Sequence, residues 1–303
     1  MSTDQIKTAL DPRQPPDATI EQVTSRDGTR IGLLRLGDGP GLVLLHGSMQ
    51  TARSHLHLAR CLADAFTVYL PDRRGRGLSG PNRPEHGIRQ EVEDLDAVLT
   101  ATGAHFVFGV SASALVALEA ARTLPAVHKI AVYEPALLTS RDQNAWLPRY
   151  DRQMAQGKIA AALVTSMKGL TLGPPILNLM PNPLLVLLTN LTMNSEDKKA
   201  GDGAATMRSL APTLHYEGTL LAEMTGAAQR FSTVTADVLL LGGSNGLRLF
   251  RPGMNALEQA LPHVRRVELP GLDHGGAADV SNTNRGAKPD VVAAELRRFF
   301  AQS

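Results

Sequence analysis

Residues 107–121 read VFGVSASALVALEAA, an apolar strand-like run, a tight Gly109-Val110-Ser111-Ala112-Ser113, and then a helical pattern. A serine hydroxyl attacks poorly unless a neighbouring base takes its proton, a third group fixes the tautomer of that base, and amide donors face the developing oxyanion. Ser111 stands on the sharp turn, with small residues at Gly109 and Ser113 that let strand and helix approach closely. The Ala112 N–H lies at the start of the helix, where negative charge is favoured. These features make Ser111 a candidate nucleophile for acyl transfer.

Other polar residues have no comparable pattern. His55 and His57 are two apart and share no helix face, so they make a poor metal pair. No His-Glu-x-x-His or Cys-x-x-Cys spacing occurs, and no metal is implied. The glycines of GDGPG, RRGRGLSG and GGSNG do not form a dinucleotide fingerprint, there is no P-loop, and no cofactor is expected.

The elements that must position Ser111 alternate in type. ATIEQVTS and TRIGLLRLG flank the turn signal RDG, GLVLLHG is a short apolar strand, and SHLHLARCLADA (54–65) reads as a helix before the strand FTVYLPD. IRQEVEDLDAVLTATG is amphipathic and ends near Gly103. HFVFGVS, ALVALEAARTLP and KIAVYEP continue as strand, helix and strand. Such alternation predicts a largely parallel sheet covered on both faces. It stops from about Leu137 to Ser232, a stretch of helical flavour, and resumes with ADVLLLGG, MNALEQALP, RRVELPG and DVVAAELRRFF. The expected division is a polar arm over 1–18, a first core part over 19–136, a helical insertion over 137–232 and a second core part over 233–303. Within the insertion, PPILNLMPNPLLVLLTNLTM (174–193) carries four prolines and is expected to form short helices packing over the C-terminal edge of the sheet.

The elbow resembles that of the α/β-hydrolase family, written G-x-S-x-G, with serine in place of its last glycine. Three further stretches carry the resemblance in the family's order. LLHGSMQ is similar to its His-Gly loop, PDRRGRGLSG to its D-x-R-G-x-G-x-S loop, and ELPGLDHGG to its last strand and the loop bearing the base. The resemblance covers about 20–135 and 233–301. It implies a mostly parallel eight-stranded sheet flanked by helices, with an inserted helical cap. It also implies a base at His274, oxyanion donors at the Ser48 and Ala112 amides, a tight loop permitted by Gly75 and Gly77, and bracing roles for Asp72 and Arg74. His46 is expected to hold the oxyanion loop by packing and hydrogen bonding.

The third catalytic member has two candidate places in the family. After the strand VLLLGG the chain offers no carboxylate, only Ser244 and Asn245. After KIAVYEP it offers Glu134, at a position some branches use. Glu134 is therefore the expected acid, with Asn245 the alternative as a neutral acceptor. Asp273, beside the base, and Asp279 are poorer placed.

Bulk properties narrow the remaining choices. The chain has 303 residues, 43% hydrophobic and 20% charged, enough for a sizeable core. Its net charge of +2 comes without a basic stripe interleaved with aromatics, so nucleic acid is not an expected partner. DRRGR and VRR read as loop and surface. Cys61, alone, excludes an intrachain disulfide. No signal peptide or membrane span is read, and a cytoplasmic location is expected. A monomer and a homodimer are both compatible with the sequence.

An aliphatic insertion suits an apolar small-molecule substrate. The expected activity is a serine hydrolase of the carboxylic-ester class, cleaving a small apolar ester or lactone through an acyl-enzyme. A C–C bond hydrolase, thioesterase or acyltransferase of the same fold is an alternative. A non-catalytic ligand-binding or scaffold protein is another.

Overall fold

The computed structural model describes residues 17–173, 177, 179–201, 204–281 and 284–302. Most of the expected N-terminal arm, residues 1–16, lies outside them. Eight strands form one sheet: β1 (Thr19–Thr24), β2 (Arg30–Leu36), β3 (Gly41–Leu45), β4 (Thr67–Pro71), β5 (Phe106–Val110), β6 (Lys129–Tyr133), β7 (Asp237–Gly243) and β8 (Val264–Leu269). The spatial order is β1-β2-β4-β3-β5-β6-β7-β8. The β1–β2 and β2–β4 pairs are antiparallel, and every later pair is parallel.

Successive strand residues point to opposite faces, and both faces are buried. Val43, Val107, Ile130, Val132 and Leu240 join a core with α2 (Ile88–Thr102) and α3 (Ala112–Thr123). Leu42, Leu44, Phe108, Ala131 and Leu239 join a second core on the other face, with α1 (Leu56–Arg60) and the C-terminal helix Pro289–Phe300. This is why the strands read as continuous apolar runs. Gly103 ends α2 in the left-handed region, at φ 65°. Residues 54–65 are less helical than their pattern suggests: α1 stops at Arg60, and Ala65 and Phe66 turn back to donate to the Leu62 carbonyl before β4 begins.

Between β6 and β7 the chain builds a helical cap. It contains α4 (Leu147–Ala155), α5 (Ile159–Gly169), α6 (Asn182–Lys199) and α7 (Leu214–Met224), with short turns of helix between them. The cap has its own core around Trp146, Tyr150, Leu163, Met193 and Leu214. It also rests on the sheet-side core through Leu220, Leu221, Met224 and Phe231.

Over 182–193 the expectation of short helices is corrected by α6, a single helix of 18 residues that begins at Asn182. Pro183 falls in its first turn, where a missing N–H costs no intrahelical bond. Leu184, Leu187, Leu188 and Leu191 on α6 are exposed instead of packed over the sheet. Pro174 and Pro175 lie outside the described residues. Among the described residues, no helix is long and apolar enough to cross a membrane.

Between β7 and the C-terminus stands α8 (Arg251–Ala260), followed by β8 and then the C-terminal helix, α9 (Pro289–Phe300).

Candidate active site

The elbow is held by the neighbouring strand tip. Ser111 has φ 58°, a left-handed conformation that is costly for serine and must be enforced by its surroundings. Its N–H donates to the Tyr133 carbonyl at 2.9 Å, and its carbonyl accepts from the Ala136 N–H at 3.1 Å. Gly109 permits the close strand–helix approach, because a Cβ there would lie 2.5 Å from the Ser113 carbonyl oxygen. These contacts lift the Ser111 hydroxyl above the C-terminal edge of the sheet. Ala112 is the first residue of α3, so its N–H has no intrahelical acceptor.

His274 arrives from the loop after β8. Its Nε2 lies 3.1 Å from Ser111 Oγ, and its Nδ1 lies 2.8 Å from Glu134 Oε2. The loop is anchored next door: the Tyr133 hydroxyl donates to the Asp273 carbonyl at 2.6 Å. Burial, with the charges of Glu134 and Asp273, pushes the Tyr133 pKa up, so this hydroxyl stays a donor. Phe250 packs a tilted ring against the imidazole, 5.3 Å between centroids.

Glu134 is also held in a left-handed conformation, φ 44°, and is 2% exposed. Its Oε1 accepts from the Gly243 N–H at 3.0 Å and its Oε2 from the Leu247 N–H at 3.2 Å. The end of β7 and the loop after it therefore supply amide donors to a carboxylate that directly follows β6. Gly246 belongs to the same cradle, since a Cβ there would sit 1.7 Å from Glu134 Oε1.

Asn245 does not meet the ring. Its side-chain amide donates to the Gly271 carbonyl at 3.4 Å, and its N–H to the Leu272 carbonyl at 2.9 Å. Asp273 Oδ1 accepts from the Gly275 N–H at 2.9 Å, and Asp279 accepts from the His57 N–H at 3.0 Å. Both shape the loop rather than orient the imidazole. Ser48 lines the cavity that Ser111 and His274 share.

His46 precedes Ser48 by two residues in the loop after β3. Its Nδ1 faces the Gly47 carbonyl at 2.9 Å, and its Nε2 accepts from the Arg73 N–H at 3.1 Å. The ring is thus neutral, with its proton on Nδ1. Burial, reinforced by the Arg76 and Arg73 charges, holds its pKa well below the usual value. Burial also lowers His55, to about 4.

A folded-state pKa below the unfolded value means that the folded chain binds fewer protons, so stability falls as pH drops through the unfolded value. Each such histidine costs about 1.4 kcal/mol per pH unit below about 6.5. For His55 the loss runs from about pH 6.5 down to about 4 and reaches roughly 3 kcal/mol. Urea denaturation at pH 7, 6 and 5 is expected to register this decline. Equal midpoints at the three values would contradict it.

The arginines of DRRGR are a loop, as expected, but not a surface. Arg73, Arg74 and Arg76 are all buried. Arg74 pairs with Asp94 at 2.6 Å and Asp27 at 3.0 Å. Arg73 forks onto Glu91 and also reaches Glu217 Oε1 at 2.7 Å, while Arg76 pairs with that same Glu217 oxygen. Burial opposes the Arg73 charge, but Glu217 and Glu91 outweigh it and raise its pKa.

Glu217 sits on cap helix α7, so this cluster pins the cap to the core. No local pattern announces it, because the partners stand 141 and 144 positions apart. Removing one member of a buried ionic cluster strands the others. Glu217→Ala is expected to destabilise folding by about 3–5 kcal/mol. Arg76→Met with Glu217→Leu should recover much of that loss. A Glu217→Ala protein with an unchanged denaturation midpoint would contradict the clamp.

Above the serine lies a cavity of about 1340 Å³. Trp146, Leu163, Met167, Leu214, Leu221 and Leu247 are among its apolar walls, and Arg53, Asp72, Glu196, Glu217, Asp273 and Asp279 are charged groups that also line it. Asp72 braces the loop as expected, accepting from the Ala52 and Leu78 amides. Gly75 and Gly77 have φ of 78° and 47°, and a Cβ on Gly77 would meet Asp72 Oδ2 at 2.0 Å.

Known proteins share this architecture. A profile of the alpha/beta hydrolase family matches residues 42–295. A crystal structure of an alpha/beta hydrolase from Sphaerobacter thermophilus DSM 20745 superposes with a TM-score of 0.72 at 30% identity, covering 93% of this chain and 100% of that one. A thermophilic esterase from Thermogutta terrifontis, solved with malate bound, has the same fold, with a TM-score of 0.68 at 17% identity over 93% of this chain and 98% of that one.

In sequence, the pimeloyl acyl-carrier protein methyl ester esterase of Xanthomonas axonopodis pv. citri (strain 306) is 26% identical over 267 residues, 88% of this chain and 97% of that one. Hydrolase YraK of Bacillus subtilis (strain 168) is 34% identical over 116 residues. That match spans 37% of this chain and 43% of the relative, less than half its length.

Proposed function

Since the chain belongs to the alpha/beta hydrolase family, we propose that this serine hydrolase is a carboxylic-ester hydrolase that works through an acyl-enzyme on Ser111. The observation that carries this reading is the unbroken line from Glu134 Oε2 through the His274 ring to Ser111 Oγ, at 2.8 and 3.1 Å, beneath an apolar cavity.

In the first half-reaction His274 Nε2 takes the Ser111 proton as Oγ attacks the ester carbonyl. Glu134 keeps the ring proton on Nδ1 and balances the imidazolium charge. The carbonyl π pair moves onto oxygen, where the Ala112 and Ser48 amides receive it. As the tetrahedral species collapses, His274 passes its proton to the departing alcohol and the acyl-enzyme is left. Water then attacks the acyl carbon, with His274 as base. The carboxylic acid leaves, and Ser111 regains its proton.

The cavity exceeds the roughly 300–1,000 Å³ common for drug-sized ligands, and its apolar walls favour an ester with an extended apolar acyl group. Two relatives named as esterases support the ester class.

A series of p-nitrophenyl esters from acetyl to dodecanoyl tests the substrate class. kcat/KM is expected to climb about fourfold per added methylene until the cavity is full, from about 0.8 kcal/mol for each buried methylene. A flat or falling series would remove the acyl assignment of the cavity. Faster release of a carboxylic acid and a methyl ketone from a dione would move the reading to C–C hydrolysis. Preference for a thioester, a lactone or an acceptor alcohol would move it to those activities.

A further inference from the structure

The fifth elbow position is serine where the family pattern has glycine, and the difference has a structural use. Ser113 is fully buried, as is His46, and the Ser113 hydroxyl donates to the His46 carbonyl at 2.5 Å. β3 and β5 run parallel with Leu45 beside Gly109, so the loop that leaves β3 passes next to the first turn of α3.

That loop contains two successive peptide groups with four polar ends. The His46 carbonyl takes the Ser113 hydroxyl, and the Gly47 N–H donates to Gln50 Oε1 at 2.8 Å. The Gly47 carbonyl takes the His46 Nδ1 proton at 2.9 Å. The fourth end, the Ser48 N–H, has no partner among the described residues, and Ser48 faces the cavity.

We propose that Ser113 is a positioning residue for the oxyanion hole, its hydroxyl clamping the loop that carries the Ser48 donor onto the helix that carries the Ala112 donor. The proposal rests on the acyl-enzyme reading above and names what fixes the spacing of its two amides. Ser113 touches no reacting atom. It acts through the His46 carbonyl, which a glycine would leave buried without a donor, a state that favours rotation of the peptide out of place. Oxyanion stabilisation depends on donors held in advance at the distance the charge will occupy, so a loosened loop weakens transition-state binding more than ground-state binding.

The test compares wild type with Ser113→Ala, Ser113→Gly and Ser113→Cys, the last preserving most of the side-chain volume should the smaller variants not fold. Each is measured for kcat and KM on an activated ester. Each is also measured for affinity toward an alkyl trifluoromethyl ketone, whose adduct carries the oxyanion, and toward an alkanol of the same chain length, which carries no negative oxygen.

Loss of the hydroxyl is expected to lower kcat and ketone affinity together by about 10–100-fold, less than the 10²–10³ for losing a donor outright. KM and alkanol affinity should stay within about threefold, because the interaction acts in the transition state alone. Ser113→Cys should show the same pattern, since a thiol is a weak donor. Unchanged ketone affinity in the folded variants, or an equal loss of alkanol affinity, would overturn the proposal. A wild-type protein that forms no ketone adduct would instead overturn the acyl-enzyme reading and the role of Ser113 with it.

Discussion

Ser111→Ala is expected to lower kcat for an activated ester by about 10⁶-fold, the scale seen when the nucleophile of a serine hydrolase is deleted. The variant keeps its fold, because the elbow is fixed through the Ser111 N–H and carbonyl, and alanine provides both. Alanine also suffers no more than serine at φ 58°. KM should change little, since the hydroxyl contributes to bond making rather than to holding the ground state. Circular dichroism, denaturation midpoint and steady-state kinetics on one preparation check the three statements. A variant retaining a hundredth of wild-type kcat would mean that the observed hydrolysis does not pass through Ser111.

Glu134→Gln is the second large effect, about 10⁴-fold in kcat, the scale found when a triad acid becomes its amide. Three N–H donors converge on the two Glu134 oxygens: Gly243, Leu247 and the His274 Nδ1–H. A carboxylate accepts all three, but an amide has one oxygen and must turn its own N–H₂ toward at least one donor. With the amide nitrogen toward Gly243, a buried donor loses its acceptor. With it toward His274, the ring takes the other tautomer and places a proton on Nε2, where it cannot accept from Ser111. In either pose the imidazolium has lost its counter-charge. Asn245→Ala should by contrast stay within about threefold of wild type, because Asn245 bonds to Gly271 and not to the ring. A large loss in Asn245→Ala with near-normal turnover in Glu134→Gln would reverse the two assignments.

Sequence revealed the frame of this site better than its bracing. Strands buried on both faces write themselves as apolar runs, so the parallel sheet, the elbow on β5 and the loop after β8 could be read directly. Ser111 stands out by its place on a strand-to-helix turn, and His274 through the resemblance of ELPGLDHGG to the family's last strand and base-bearing loop. The choice between Glu134 and Asn245 was harder. β6 and β7 are neighbours with tips on one edge, and only the folded loops show Asn245 turned toward β8 and Glu134 toward the imidazole.

The buried arginine cluster left no local trace. A charged run in a glycine-rich loop resembles a solvated surface until helix α7 brings Glu217 over it. The leucines of α6 misled in the opposite sense. Apolar content indicated packing, yet the helix turns Leu187 and Leu191 outward, 55% and 57% exposed. The serine at position 113 was legible as a departure from a pattern. Its use depended on the distance to a carbonyl in the loop after β3, which spacing along the chain does not encode.

Active-serine labelling tests the central claim most directly. Treatment with a fluorophosphonate, followed by intact mass and peptide mapping, is predicted to give a single adduct on Ser111 in the wild type. In His274→Ala, whose Ser111 hydroxyl has no base within reach, the adduct should disappear. A wild-type protein that stays unmodified, or one whose adduct lies on another residue, would contradict the account.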